Sequence, residues 1–423
     1  MNRLSPNRLF GLVLCLPFGL LLAVFDARPA IERAHGDFPH DAYVWQRDWS
    51  PEVRAAVKRR GPAFSRLVVL GAEVSYAGDR RSMIRVAHEL PRGAGVALRV
   101  GPTRRSLSAE TAALAAVARE LAAAGPSELQ IDFDCPSGRL DEYRELVLQL
   151  RAAVAPIPLV ITALPSWLDH RAFRRLAHAC DGFVLQVHSV EAPGPGERFR
   201  ICDPDAARRF VERAARIKRP FRVALPTYGY LAGFDGNGRL LGLQAEGPGR
   251  HWPAGTRVRR IESDPAAMSA LVASWRADRP AAMRGVIWYR LPVDRERYNW
   301  KWPTMSAVLR GELPAARLAV NAARDRDGLW QVTLVNSGDA DAHTYVEVSL
   351  SWGDGALIAA DALGGFEFIE EDGLAERGAG RALLRARERH VFERVGPGER
   401  RALGWLRLSG VETMEVSVAP LAQ

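Results

Sequence analysis

From residue 43 onward, short apolar runs alternate with longer amphipathic stretches. Strand-like runs fall at 43–47, 67–73, 95–101, 128–134, 157–163, 182–188, 220–226 and 284–291, eight in all. Helix starts are marked between them by Ser50-Pro51, Ser108 before Ala109-Glu110, Asp203-Pro204 and Asp264-Pro265. Each offers a capping oxygen, and three place Pro at the first helical position, where its missing N–H costs nothing. The Ala- and Leu-rich run 111–124 predicts a helix that stops at Gly125. Eight β/α repeats over 40–312 predict a closed (β/α)8 TIM-like barrel of the α/β class. An open doubly wound sheet would favour a Gly-rich phosphate loop after the first strand, where Trp45-Gln46-Arg47-Asp48 stands instead.

The pattern changes twice. Residues 231–262, after the seventh strand, are polar and Gly-rich and too long for a plain βα loop. They predict a hairpin-like wall or lid on the face where barrel sites are built. Beyond Pro314 the helical period gives way to period-two runs at 330–335, 344–352, 365–369, 402–408 and 412–418. Asn336-Ser337-Gly338 and Gly396-Pro397-Gly398 supply turns, so 315–423 predict an immunoglobulin-like β-sandwich.

The strongest chemical signal is the run Glu128-Leu129-Gln130-Ile131-Asp132-Phe133-Asp134-Cys135-Pro136. Side chains alternate across a strand, so Gln130, Asp132 and Asp134 share one face and Leu129, Ile131 and Phe133 the other. Gln186 and His188 repeat the two-residue spacing on the sixth strand. Barrel sites are assembled from strand carboxyl ends. The candidate catalytic residues are therefore Asp134, Asp132 and Glu73, with Asp134 toward the open face and Asp132 one layer deeper. Trp45, Arg47, Arg99, Trp167, Gln186, His188, Tyr228, Trp288 and Arg290 are candidate substrate contacts. Two adjacent carboxylates repel, so one should bind its proton more tightly and serve as a general acid. Aromatic rings suit the apolar faces of sugars. Singly, each residue has a plainer use: Glu73 pairs with Arg99 or Arg47, His188 is a satisfied hydrogen bonder, and Trp45 and Trp288 plug the barrel.

Composition adds less. The net charge of +9 comes almost wholly from Arg, spread along the chain, which argues against a nucleic-acid footprint. Residues 1–30 read as a signal peptide or signal anchor: Arg3 and Arg8 precede an apolar run over 9–24. The body is then expected to be exported, periplasmic or extracellular, with an N-terminal anchor to the inner membrane if the leader is kept. Of the four cysteines, Cys15 lies in that run, and Cys180 with Cys202 is the favoured disulfide among the rest. No spacing suggests a metal site, and no cofactor is expected.

Two resemblances emerge from these motifs. Gln130 to Pro136, Thr162-Ala163-Leu164-Pro165-Ser166-Trp167, Leu185-Gln186-Val187-His188 and Tyr228-Gly229-Tyr230 resemble the bacterial domain-of-unknown-function family numbered 3142 over about residues 40–310. That resemblance implies a glycoside-hydrolase-like TIM barrel. More distantly, Asp132 and Asp134, the 231–262 insertion and Trp288 are similar to features of family-18 chitinases. Pro136 stands where that family holds its acid glutamate, which implies another acid or none. Two functions follow as expectations: an exported glycoside hydrolase acting on a polysaccharide or oligosaccharide, or a non-catalytic glycan-binding envelope protein with a degenerate barrel.

Overall fold

The computed structural model describes residues 30–421, apart from 79, 88, 197–198, 248, 372–379 and 388–393. The leader expected over 1–30, with Cys15, lies outside the described residues but for Ala30. Among the described residues no helix is long and apolar enough to cross a membrane.

Eight parallel strands close the barrel: β1 (His40–Val44), β2 (Arg66–Ala77), β3 (Gly95–Val100), β4 (Leu129–Phe133), β5 (Leu159–Ala163), β6 (Gly182–Gln186), β7 (Phe221–Pro226) and β8 (Met283–Tyr289). Each pairs with the next, and β1 closes the ring against both β2 and β8. Seven helices surround it: α1 (Pro51–Arg60), α2 (Leu107–Ala122), α3 (Leu140–Val154), α4 (Arg171–Ala179), α5 (Pro204–Ala215), α6 (Pro265–Ala277) and α7 (Trp302–Arg310). The caps explain their starts. Asp203 accepts from Ala206 N at 2.7 Å, Asp264 from Ala266 N at 2.9 Å, and Ser50 from Val53 N at 3.5 Å. α2 begins earlier than the sequence suggested: Ser106, not Ser108, takes the cap position, and the Glu142 carboxylate accepts from Leu107 N at 2.7 Å.

Among the described residues the second unit has no helix. β2 runs on past the barrel and turns into an antiparallel strand, Arg80–Arg85, whose residues are all exposed. That segment carries three arginines and no apolar stripe for a helix to bury. Among the described residues the eightfold β/α repeat is thus eight strands with seven α-helices.

The helix–sheet layer is apolar, with Phe133, Trp167, Phe173, Phe183 and Phe221 almost fully buried. Burial of side chains this size stabilises by roughly 1.5–3 kcal/mol each. The lower lumen is ionic instead. Arg222 donates to Asp41 at 2.6 Å and to Glu128 at 2.5 Å, and Arg66 meets Glu128 at 2.5 Å. Above this layer Gln130 donates to Glu128 at 2.6 Å and accepts from the Tyr43 hydroxyl at 2.7 Å.

The insertion after β7 is a three-stranded antiparallel sheet, with Gly229–Phe234 between Leu240–Gln244 and Arg257–Glu262. The C-terminal sandwich stacks two four-stranded antiparallel sheets around Trp330, Val332, Leu334, Val348, Leu350, Trp352, Leu384 and Leu406. Its turn at Gly338 requires glycine, since a Cβ there would lie 2.2 Å from Ala315 O. The sandwich meets the barrel through Arg394, which donates to Glu262 of the insertion at 2.8 Å. Thr304 of α7 adds a bond to Asp339 O at 2.6 Å.

Cys180 and Cys202 are not bridged: Cys135, Cys180 and Cys202 are all free and buried. The Cys180 thiol donates to Leu176 O at 3.3 Å, within the turn that ends α4. Cys202 precedes the cap of α5, so the two thiols serve different helices.

Candidate active site

β4 builds the site as a ladder. Glu128, Gln130, Asp132 and Asp134 climb one face of the strand, from the ionic base to the carboxyl-end mouth. Register places Glu73 beside Arg99 and Arg99 beside Asp132, so three neighbouring strands carry charge at one height. Thr162 of β5 donates to Asp132 Oδ1 at 2.8 Å, and Arg99 Nε lies 4.0 Å from Oδ2. Asp134 follows the strand and is exposed. The chain then turns through Pro136 into a single helical turn, Ser137–Arg139.

These side chains open onto a pocket of about 170 Å³. Its floor and one wall are Asp132, Asp134, Arg99, Thr162 and Gln186, and the opposite wall is aromatic: Tyr43, Trp45, His188, Tyr228 and Tyr289. Tyr289 is the hub of that wall. Its ring centre lies 5.6 Å from Trp45, 5.5 Å from Tyr228, 5.9 Å from Tyr43 and 5.7 Å from His188, the last nearly parallel.

The electrostatics divide the pocket. Asp132 is pushed up to about 6, first by burial and then by the Asp134 charge, against the Thr162 hydroxyl and Arg99. Burial alone takes His188 down to about 3, so its imidazole is neutral at any ordinary pH. Its Nδ1 lies 3.1 Å from the Tyr228 hydroxyl, which lies 2.6 Å from Ser189 Oγ. Burial raises Tyr289 to about 12, so it stays a neutral phenol.

The structure brings together Asp132, Asp134, Trp45, Arg99, Gln186, His188 and Tyr228. Glu73 and Arg47 stand at the rim as a bidentate ion pair, 2.8 and 2.9 Å, the guanidinium mostly exposed. Arg290 lies just above β8, donating to Glu296 at 2.5 Å. Trp167 and Trp288 lie elsewhere. The turn Pro165–Trp167 carries the Trp167 indole into the helix layer against Tyr143 and Phe173, where it is 1% exposed. Trp288 points away from the lumen, fully buried against Trp300, with its indole N–H on His40 at 3.2 Å. Tyr43 and Tyr289 were not singled out from the sequence. Counting by twos from Asp41, which lies below the strand start expected at 43, reaches Tyr43, and counting from Gly285 reaches Tyr289, whose face of β8 carries no polar marker.

The fold is a (β/α)8 TIM-like barrel with an appended β-sandwich. Residues 101–294 match the family described as a domain of unknown function, DUF3142, as the motifs of β4 to β7 suggested. Residues 319–409 match a second domain of unknown function, DUF8456. No curated protein matches the chain. Among solved structures, the Bacillus cereus spore cortex-lytic enzyme SleL is 9% identical, covering 66% of this chain and 75% of its own, with a TM-score of 0.44. Chitinase ChiA74 from Bacillus thuringiensis is 9% identical over 90% of this chain and 100% of its own, at 0.42. A family GH18 chitinase from Chromobacterium violaceum is 10% identical over 90% of each chain, at 0.36.

Proposed function

We propose that the protein is an exported glycoside hydrolase that acts on a polysaccharide or oligosaccharide at the mouth of the barrel. The observation that carries this reading is the Asp132–Asp134 pair, with Asp132 held at about 6 beneath an aromatic wall. A carboxyl group that keeps its proton near neutrality is what protonation of a glycosidic oxygen needs. Asp134, nearer the opening, touches the substrate, and the proton that the pair holds on Asp132 goes to the leaving oxygen as its bond to the sugar carbon breaks; water then adds to that carbon and returns its proton to the pair. Glu73, oriented by Arg47, is the remaining carboxylate on the rim and faces developing positive charge on the sugar ring. Tyr289, Trp45 and Tyr228 offer ring faces for stacking. The pocket is smaller than the roughly 300–1,000 Å³ of most ligand sites, which suits one sugar ring at a time.

A second reading, glycan binding without cleavage, is favoured by Pro136, which puts no acid on the turn beyond Asp134, and by the clamping of Glu73. Purified protein on a panel of bacterial polysaccharides separates the two. Release of reducing ends that is lost in Asp134→Asn, with glycan binding retained, supports the hydrolase. Binding without any release, weakened by the same substitution, supports the binding protein.

A further inference from the structure

The chain's positive charge, scattered in sequence, converges in space far from the pocket. A groove of about 1,050 Å³ runs between α4 and the end of α5 and opens beneath the loops that lead into β7 and β8. Those loops lie at the amino-terminal ends of the strands, while Leu168 to Arg174 lead from the carboxyl end of β5 into α4, so the groove runs along the helical flank of the barrel and shares no residue with the aromatic pocket. Arg171, Arg174, Arg216, Lys218 and Arg284 line it, and all five are exposed. Among the described residues none of the five has an acidic partner within salt-bridge distance. Arg213, also in the groove, is paired with Asp169 at 2.6 Å.

Unpaired cations on one face are ordinarily dispersed or neutralised, because they repel one another at separations below the Debye length. Their concentration calls for an anionic surface. The start of the described chain indicates which one. Ala30, Ile31 and Glu32 form part of the groove wall, and Glu32 O accepts from Ala281 N at 2.8 Å. The apolar run 9–24 therefore ends five residues before the groove, a reach of about 17 Å at full extension.

We infer that this groove docks on anionic phospholipid headgroups of the bilayer that the 9–24 segment enters, and so holds this flank of the barrel against the membrane. The headgroup phosphates lie against the five cations, and the anchor keeps the groove at the surface. Basic residues beside an anchor bind such leaflets through their charge, and salt weakens the attraction. The inference does not depend on whether the pocket cleaves a glycan.

The chain has three lysines, Lys58, Lys218 and Lys301, so amine acylation read by mass spectrometry reports the groove at a single site. Full-length protein is placed in phosphatidylcholine nanodiscs with or without phosphatidylglycerol, and acylation of Lys218 is timed. Anionic lipid is expected to slow it about fivefold or more. The protection is expected to vanish in about 0.5 M salt. It is also expected to vanish in a variant combining Arg171→Gln, Arg174→Gln, Arg216→Gln and Arg284→Gln whose circular dichroism is unchanged. Equal rates in the two lipids overturn the inference. So does equal protection of Lys218 by a soluble anionic polysaccharide, which would assign the groove to glycan.

Discussion

At the scale of single residues, Asp132 governs how the site responds to pH. Its carboxyl is raised to about 6, so the folded protein binds a proton there that the unfolded chain releases nearer 4. Between those values the native state holds more protons, and stability falls as pH rises. The favourable contribution is complete below about 4 and lost above about 6. Asp132→Asn keeps an acceptor for the Thr162 hydroxyl but cannot ionise. Denaturant unfolding of both proteins should therefore show the variant gaining on the parent from pH 4 to pH 8, by up to about 3 kcal/mol. A stability difference that stays flat over that range would mean the carboxyl titrates as an ordinary surface acid. Because the acid must keep its proton, the same ionisation should place the alkaline limb of hydrolysis near 6.

At the scale of elements, β4 and β8 show what a strand reveals of itself in sequence. β4 alternates acid and amide with Leu, Ile and Phe, so the sequence alone fixes which face lines the lumen. Trp45, Gln186 and His188 follow from similar polar or aromatic marks at strand ends. β8 reads Met283-Arg284-Gly285-Val286-Ile287-Trp288-Tyr289, apolar on both faces beyond Arg284 because a parallel barrel strand is buried on both. Nothing in that run distinguishes Trp288 from Tyr289. Register then turns each side chain to the opposite face when the count slips by one. The missing second helix had a signal, since Arg80 to Arg85 never had a helical stripe, but eight strands invited eight helices. Trp167 was misplaced for another reason: a short turn after β5 redirects its side chain, which period-two counting does not capture. The aromatic pair separates function from packing. Tyr289→Ala should weaken glycan binding at least about tenfold, as loss of a stacking ring does. Trp288→Ala should instead lower unfolding free energy by about 3–5 kcal/mol and leave affinity nearly unchanged in the folded fraction. Calorimetric titration beside chemical denaturation distinguishes the two, and the reverse assignment would restore Trp288 to the pocket.

At the scale of the whole molecule, barrel and sandwich have separate hydrophobic cores joined by a polar seam. In that seam Glu262 of the barrel insertion lies between Arg260 and Arg394, at 2.5 and 2.8 Å. Asp341 of the sandwich sits beside them, raised to about 6 by burial and by the Glu262 charge, against Lys301, Arg260 and Arg394. One of its oxygens, Oδ1, is buried without a hydrogen-bond partner among the described residues. His343, on the same side, is lowered to about 4 by burial and Arg394, so it is neutral wherever Asp341 titrates. Docking therefore favours the protonated Asp341. Its contribution is complete below about 4 and declines as pH rises through about 6. Two cores coupled through such a seam should unfold closer together in acid and further apart in base. Scanning calorimetry at pH 5 and pH 8 should find the sandwich transition lower at pH 8 by roughly 5–10 °C. Asp341→Asn should remove most of that shift while leaving the barrel transition in place. If the variant retains the full shift, ionisation elsewhere separates the domains, and Asp341 is a bystander in the seam.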